Sequence, residues 1–316
     1  MDSYDRFVGG LYGVAIGDAL GAPHEFTRAS PKIQYTGLFT DIPVTVQFRF
    51  TQMIIEPGSV TDDTEMTIQL LDSILENNNY IVEKTIKKYL EWANLKNTSL
   101  GKNTRALMKG VTTVKGFYNR QAKIDTTHVE SNGSLMRCLP IALLSDWKKI
   151  SDIDVSLTNN NPVNRECSII YLTLIRHFLF EEPAKGGSSI PLKFKCKQKS
   201  IKTAIKNAIK GIIIDVSVQK GWVVHALYVA LITLFNVNST EEGMKFIATH
   251  FIHGDTDTIM AISGGLLGSK YGFINMNNEV LTSQNIVKLN DFLLKSKRPS
   301  FNEQTLKNIE SYLQKI

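Results

Sequence analysis

The sequence predicts an all-α fold, and three observations carry that prediction. Apolar residues recur at helical spacing through most of the 316 residues. No sustained strand–helix–strand alternation interrupts them, so a parallel sheet is excluded. Two stretches near the ends of the chain carry glycines at intervals of four, a pattern suited to helices that touch along a ridge. No shift in composition marks a linker and no fixed-period repeat stands out. One domain spanning residues 1–316 is therefore expected.

Tyr4 to Gly21 reads as a helix in spite of Gly9, Gly13, Gly17 and Gly21. Each glycine costs a helix about 1 kcal/mol relative to Ala, and close approach of a neighbouring helix is the expected compensation. Pro23 ends the helix. It leaves Glu25, within Ala22-Pro23-His24-Glu25-Phe26, on a loop, where on residue type alone it is an exposed acid. Residues 31–57 form a short extended excursion. Ile33, Tyr35, Leu38, Val44, Val46, Phe48 and Phe50 partly alternate among Pro31, Pro43 and Pro57, so one or two short strands at most are expected. Helical spacing resumes over 64–77, 81–94 and 103–118. The polar loop 125–134 then leads into a helix start at Leu135-Met136-Arg137-Cys138-Leu139-Pro140, where small polar residues make a plausible phosphate cradle. Arg137 there reads first as half of a structural ion pair.

Further helices are expected over 164–181, 200–214, 221–235, 240–251 and 258–271. The last carries the second glycine ridge, Gly264, Gly268 and Gly272. Gly9-Gly10-Leu11-Tyr12-Gly13 and Gly264-Gly265-Leu266-Leu267-Gly268 look alike, and the two helices are expected to pack closely at the centre. Helices near 284–294 and 302–315 close the chain.

The chain carries a net charge of +6 and a pI of about 9.0. Much of the excess lies in Lys185 to Lys210, which holds eight Lys and no acid. Such a run is most often a solvated surface; the sharper reading is a patch for an anionic partner. No aromatic platform or nucleic-acid motif accompanies it, so nucleic-acid binding is not expected. Met1-Asp2-Ser3-Tyr4-Asp5-Arg6 has no apolar stretch that would make a signal peptide. The longest apolar run, Trp222 to Phe235, is too short to span a bilayer. Cys138, Cys167 and Cys196 lack metal-ligand spacing and read as reduced thiols. A cytoplasmic monomer without membrane attachment is expected.

Two acidic clusters carry the chemistry. Thr61-Asp62-Asp63 stands just ahead of an apolar-periodic run. Alone it reads as helix capping, because Asp and Thr suit a helix start. Nearly two hundred residues later, His253-Gly254-Asp255-Thr256-Asp257-Thr258 repeats the design. If both helix starts face one cleft, four carboxylates and two hydroxyls converge. Uncompensated, they would repel one another and some would stay protonated. Hard divalent cations remove that conflict, and two of them about 4 Å apart are the natural occupants.

Four blocks together resemble the ADP-ribosylglycohydrolase family. They are Gly17-Asp18-Ala19-Leu20-Gly21-Ala22-Pro23-His24-Glu25-Phe26, Thr61-Asp62-Asp63-Thr64, Asn132-Gly133-Ser134-Leu135-Met136-Arg137 and Gly254-Asp255-Thr256-Asp257-Thr258. The resemblance implies an orthogonal helical bundle with two Mg²⁺ or Mn²⁺ ions. It carries metal-ligand roles over to Thr61, Asp62, Asp63, Asp255, Asp257 and Thr258. Glu25 matches the family's loop glutamate that reaches the metals. The loop Thr127, His128, Val129, Glu130, Ser131, Asn132, Gly133, continued by Ser134, matches the stretch that wraps the ADP-ribose diphosphate and distal ribose. Members commonly have a Thr-His pair where Thr158 is followed by Asn159, so Asn159 takes the nucleotide-contact position. The family usually has Gly where this chain has His253, which could crowd the metals, add a ligand or point into the core. It often has an acid where this chain has His225, which on residue type alone reads as a core histidine.

The implied activity is metal-dependent hydrolysis of the bond between ADP-ribose and a modified protein side chain. Glu25, Asp62 and Asp63 are the candidate catalytic carboxylates, and Asp62 also faces the substrate. Two alternatives stand beside it: hydrolysis of another ADP-ribose derivative such as an O-acetyl ester, and a non-catalytic ADP-ribose binder on the same fold.

Overall fold

The structure, a computed structural model, describes residues 1–25, 35–39, 43–48, 51–96, 98–181, 194–296 and 299–316. Phe26, Pro31, Ile33, Phe50 and Lys185, which the sequence analysis names, lie outside the described residues. In chain order the elements are α1 (Ser3–Gly21), β1 (Val44–Phe48), β2 (Thr51–Ile55), α2 (Asp62–Asn77), α3 (Val82–Ala93), α4 (Lys102–Met108), α5 (Val114–Gln121) and α6 (Trp147–Thr158). There follow α7 (Pro162–Phe180), α8 (Lys199–Ile209), α9 (Val223–Asn236), α10 (Thr240–His250), α11 (Thr256–Tyr271), α12 (Phe273–Asn278), α13 (Val280–Lys295) and α14 (Glu303–Leu313). The fold is all-α. Among the described residues the strands form one antiparallel hairpin, with Val44 opposite Ile55 and Phe48 opposite Thr51, inside the expected extended excursion.

The glycine ridges meet as expected. α1 and α11 run antiparallel at the centre of the molecule, almost entirely buried. A Cβ on Gly13 would lie 2.0 Å from the Gly264 carbonyl oxygen, and one on Gly9 would lie 2.5 Å from the Gly268 carbonyl oxygen. Backbones in such contact leave no room for any side chain. α7, α9 and α10 pack on α11, and α2, α12, α13 and α14 pack on α1. Tyr171 of α7 donates its hydroxyl to the Ile262 carbonyl at 3.0 Å, pinning α11 from the other side.

Several boundaries differ from the sequence reading. The helix expected over 103–118 is two, α4 and α5, because Lys109 is extended and Gly110 is left-handed (φ 75°). The helix expected over 200–214 stops at Ile209. Gly211 (φ 66°) donates its N–H to Ala208 and Ile212 donates to Asn207, a paired closure of the last turn. Leu135–Leu143 is not an α-helix. Short 3-10 turns at Asn132–Ser134 and Leu139–Leu143 replace it, the second opening with Pro140 at a position needing no N–H. α6 and α12 were not expected.

Candidate active site

Three helix ends converge where α1 finishes and α2 and α11 begin. Asp18, in the last turns of α1, is fully buried. Its Oδ2 accepts the N–H groups of Thr61 and Thr64 at 2.9 and 3.1 Å and the Thr64 hydroxyl at 2.5 Å, and its Oδ1 accepts the Thr61 hydroxyl at 2.7 Å. Asp18 thus satisfies the free N–H groups of α2 from a different helix. Thr61, the N-cap of α2, makes no side-chain capping bond, and neither does Asp255, the N-cap of α11. Capping alone therefore does not account for either cluster.

The side chains so released turn toward one another. Asp63 Oδ2 lies 3.2 Å from the Thr61 hydroxyl and 3.4 Å from the Thr258 hydroxyl, across the gap between α2 and α11. Ligand oxygens of Asp18, Asp63 and Asp257 all lie within 4.8 Å of one another, as do those of Glu25, Asp255 and Asp257. Asp257 belongs to both groups. Asp62 sits beside them, half-buried, and accepts the Gly101 N–H at 3.2 Å. Asp18 stands within one of the four sequence blocks, where no site role is expected of it. The signal was a carboxylate on a helix face otherwise wholly buried; the missing information was distance.

Burial holds all six carboxyls above their ordinary range, and repulsion from neighbouring carboxylates adds to it at Glu25, Asp62, Asp63 and Asp257. Burial chiefly pushes Asp18 up to about 6, partly opposed by its hydrogen bonds to Thr64 and Thr61. Burial, then Asp255 and Asp62, push Glu25 up to about 8. Burial, reinforced by Asp18, pushes Asp62 up to about 7. Asp63, Asp257 and Asp255 are raised, again mainly by burial. An isolated buried carboxylate is costly and either protonates or finds a cation. The donor set of carboxylate and threonine oxygens is the one hard divalent cations prefer. Within this cluster the buried Asp63 Oδ1 has no hydrogen-bond partner among the described residues. The residues present therefore fit a divalent cation, with Asp18, Glu25, Thr61, Asp62, Asp63, Asp255, Asp257 and Thr258 as the available oxygens.

The loop from Thr127 to Ser134 is tied to this cluster at one point. Asn132 donates its amide to Asp255 Oδ2 at 2.7 Å, and its backbone N–H goes to the Gly221 carbonyl at 2.9 Å. Trp222 completes the wall, donating its ring N–H to Glu130 at 2.7 Å. Thr127 and His128 stand exposed at the rim, Val129 and Ser131 are half-buried, and Ser134 accepts the Asn164 amide inside. Asn159 lies beneath the loop, buried, with its amide donated to Val129 and Ser131. Arg137 is fully buried in an ion pair with Asp154 at 2.9 Å and also bonds the Gly133 carbonyl and the Thr158 hydroxyl. It is a structural bolt under the loop. His253 is exposed and enters neither the cluster nor the core. His225 is half-buried against Trp222, ring to ring at 4.8 Å. The three cysteines are free thiols. Among the described residues no helix is long and apolar enough to cross a membrane.

The fold is similar to a solved ADP-ribosylglycohydrolase-related protein complex, with a TM-score of 0.66 at 21% identity over 91% of this chain and 97% of that one. The sequence is similar to the ADP-ribosyl-dinitrogen reductase glycohydrolase of Rhodospirillum rubrum, 24% identical over 85% of this chain and 86% of the relative. It is also similar to an ADP-ribosylarginine hydrolase of Pseudomonas putida, 26% identical over 90% of this chain and 76% of the relative. The family model for ADP-ribosylglycohydrolases matches residues 1–297. The chain belongs to the ADP-ribosylglycohydrolase family.

Proposed function

We propose that the protein is a divalent-cation-dependent hydrolase that releases ADP-ribose from a modified protein side chain. The observation that carries the reading is the pair of acid groups joined through Asp257 and tied, by Asn132 on Asp255, to the loop 127–134. The names of the relatives from Rhodospirillum rubrum and Pseudomonas putida support the choice of substrate class.

Thr61, Asp62, Asp63, Asp255, Asp257 and Thr258, with Asp18 and Glu25, would hold two Mg²⁺ or Mn²⁺ ions. When bound, such ions neutralise the buried carboxylates and stabilise developing negative charge. The chain's own residues do the rest. The loop 127–134 receives the diphosphate and distal ribose, and Gly133, with nothing within 4 Å of a Cβ, permits close approach. Asn132 and Asp255 fix the distance between that loop and the acids. Cleavage between ribose C1 and the acceptor atom passes through an oxocarbenium-like state. The attacking water must give up a proton to a carboxylate that is not fully engaged. Glu25 and Asp62, both half-buried, are better placed for that than the fully enclosed Asp63.

The test is incubation with arginine-linked, serine-linked and O-acetyl-linked ADP-ribose, with Mg²⁺, Mn²⁺ or a chelator. Cation-dependent release from a side-chain conjugate is expected. Release only from the ester would move the substrate class, and no release from any conjugate would end the hydrolase reading.

A further inference from the structure

Positive charge on α8 is left unused by the site. Lys199, Lys202 and Lys206 fall on one helix face, Lys210 follows at its end, and Lys195 and Lys197 precede it. All six are exposed, and none forms a salt bridge among the described residues. The neighbouring acid, Glu166, is turned to backbone, accepting the Lys197 and Gln198 N–H groups at 2.9 and 3.3 Å. Among these lysines a cleft of about 280 Å³ opens, with Phe194, Ile205 and Ile209 on its walls and Lys202, Lys206 and Lys210 at its rim. Ile212 and Ile213, just beyond the helix, are also exposed. The ridge adjoins the site. Lys199 and Thr203 share a second cleft, of about 340 Å³, with Trp222 and His225. Trp222 bonds Glu130, and its neighbour Gly221 lies so close that a Cβ there would be 3.1 Å from Asp255 Oδ2.

We propose that this lysine ridge docks the protein carrying the modification, through an acidic segment whose apolar side chain enters the 280 Å³ cleft. The inference rests on the hydrolase reading, which requires a target protein at the mouth of the site. Rows of like charge steer an oppositely charged partner and set its register. A nucleic acid would call for exposed aromatic platforms and arginine, whereas this surface offers lysine and exposed isoleucine.

The experiment compares wild type with the triple variants Lys202→Glu/Lys206→Glu/Lys210→Glu and Lys202→Arg/Lys206→Arg/Lys210→Arg. Turnover of free ADP-ribosyl-arginine reads the site alone, and its kcat and KM should stay within about twofold in every variant. On an ADP-ribosylated acidic carrier protein at low salt, the Glu variant should raise KM about tenfold with kcat unchanged, and the Arg variant should restore it. Binding of the unmodified carrier reads the ridge without turnover, and should weaken about tenfold in the Glu variant and fade with salt. Equal carrier affinity in wild type and the Glu variant overturns the proposal. So does loss of single-stranded DNA binding in the Glu variant with carrier binding intact, which assigns the ridge to nucleic acid. A wild type that releases ADP-ribose from none of the arginine-, serine- and O-acetyl-linked conjugates ends the hydrolase reading, and carrier binding still decides the ridge.

Discussion

Gly13→Ala isolates what the central crossing contributes. In a solvated helix the change would stabilise by about 1 kcal/mol, since Ala is the better helix former. Here the new Cβ would lie 2.0 Å from the Gly264 oxygen and 2.6 Å from its carbonyl carbon, whereas ordinary contact begins near 3.4 Å. The obstacle is backbone, in a helix packed by α7, α9 and α10, so no rotamer change relieves it. α1 and α11 must part by roughly 1 Å, and a gap of that size forfeits a quarter to a half of each dispersion contact it opens. Overpacking of this kind costs about 1–3 kcal/mol and occasionally more. With a steric cost near the top of that range outweighing the propensity gain of about 1 kcal/mol, a net loss of about 2 kcal/mol is expected, or a fall in Tm of roughly 4 °C for a chain of this size. Thermal and urea unfolding followed by circular dichroism would measure it. Gly133→Ala, with nothing within 4 Å, is the control and should stay within about 0.5 kcal/mol of wild type. A Gly13→Ala protein as stable as wild type would refute the argument from backbone contact.

Other expectations follow from the site. Asp62→Asn with Asp257→Asn should abolish turnover and the cation-induced rise in Tm while leaving the helical circular dichroism spectrum intact; full activity would remove the cation-site assignment. Glu25→Ala should lower kcat more than it weakens ADP-ribose binding by calorimetry, and a loss confined to affinity would count against a catalytic role. Arg137→Met strands Asp154, buried at 0% exposure, and should cost about 3–5 kcal/mol in urea unfolding. Adding Asp154→Leu should recover much of that, and its failure to do so would place the cost in the bonds to Gly133 and Thr158. Finally, the cation-free protein should lose stability as pH rises. Its site carboxyls bind protons more tightly folded than unfolded, so their contribution is complete below the ordinary values of 3.8 and 4.5. It is lost as pH climbs through about 6 for Asp18, about 7 for Asp62 and about 8 for Glu25. Mg²⁺ or Mn²⁺ at a hundred times its Kd should return about 2.7 kcal/mol per ion, seen as a Tm that no longer falls across that range.

The chain shows why some of this was legible in sequence and some was not. Glycines every four residues in α1 and α11 have few explanations other than backbone contact, and the contact is there. Gly110 was ambiguous, because one glycine inside an apolar period can be a tolerated flaw or a left-handed break, and only its φ of 75° decides. α6 escaped because its buried face is half polar: Ser151, Asp154 and Thr158 share it with Ile150, Val155 and Leu157. Asp154 is buried there for Arg137, a partner seventeen residues away, and no periodicity in α6 itself announces it. Within the site, Asp62, Asp63, Asp255 and Asp257 were legible as paired clusters. Asp18 was not, since a single acid among glycines and alanines gains meaning only when α2 arrives to bond it.

The glycine ridge and the acid cluster are parts of one device. The ridge continues past Gly13 to Gly17, whose Cβ would lie 2.2 Å from the Met260 oxygen, and to Gly21, whose Cβ would lie 2.4 Å from the Asp257 Cα. Any side chain on those two glycines would hold α1 away from the first turn of α11. The separation would fall where Asp18 and Asp257 must share ligand distance. Four glycines, each about 1 kcal/mol worse than Ala in a helix, are therefore placed where close approach sets the spacing of carboxylates. Those carboxylates are in turn buried against their electrostatic preference. Both costs fall on the fold itself, and on the proposed reading a bound cation would relieve the second. The centre of this molecule is thus less stable than its packing alone would allow, and cation occupancy would then be coupled to the geometry of the site.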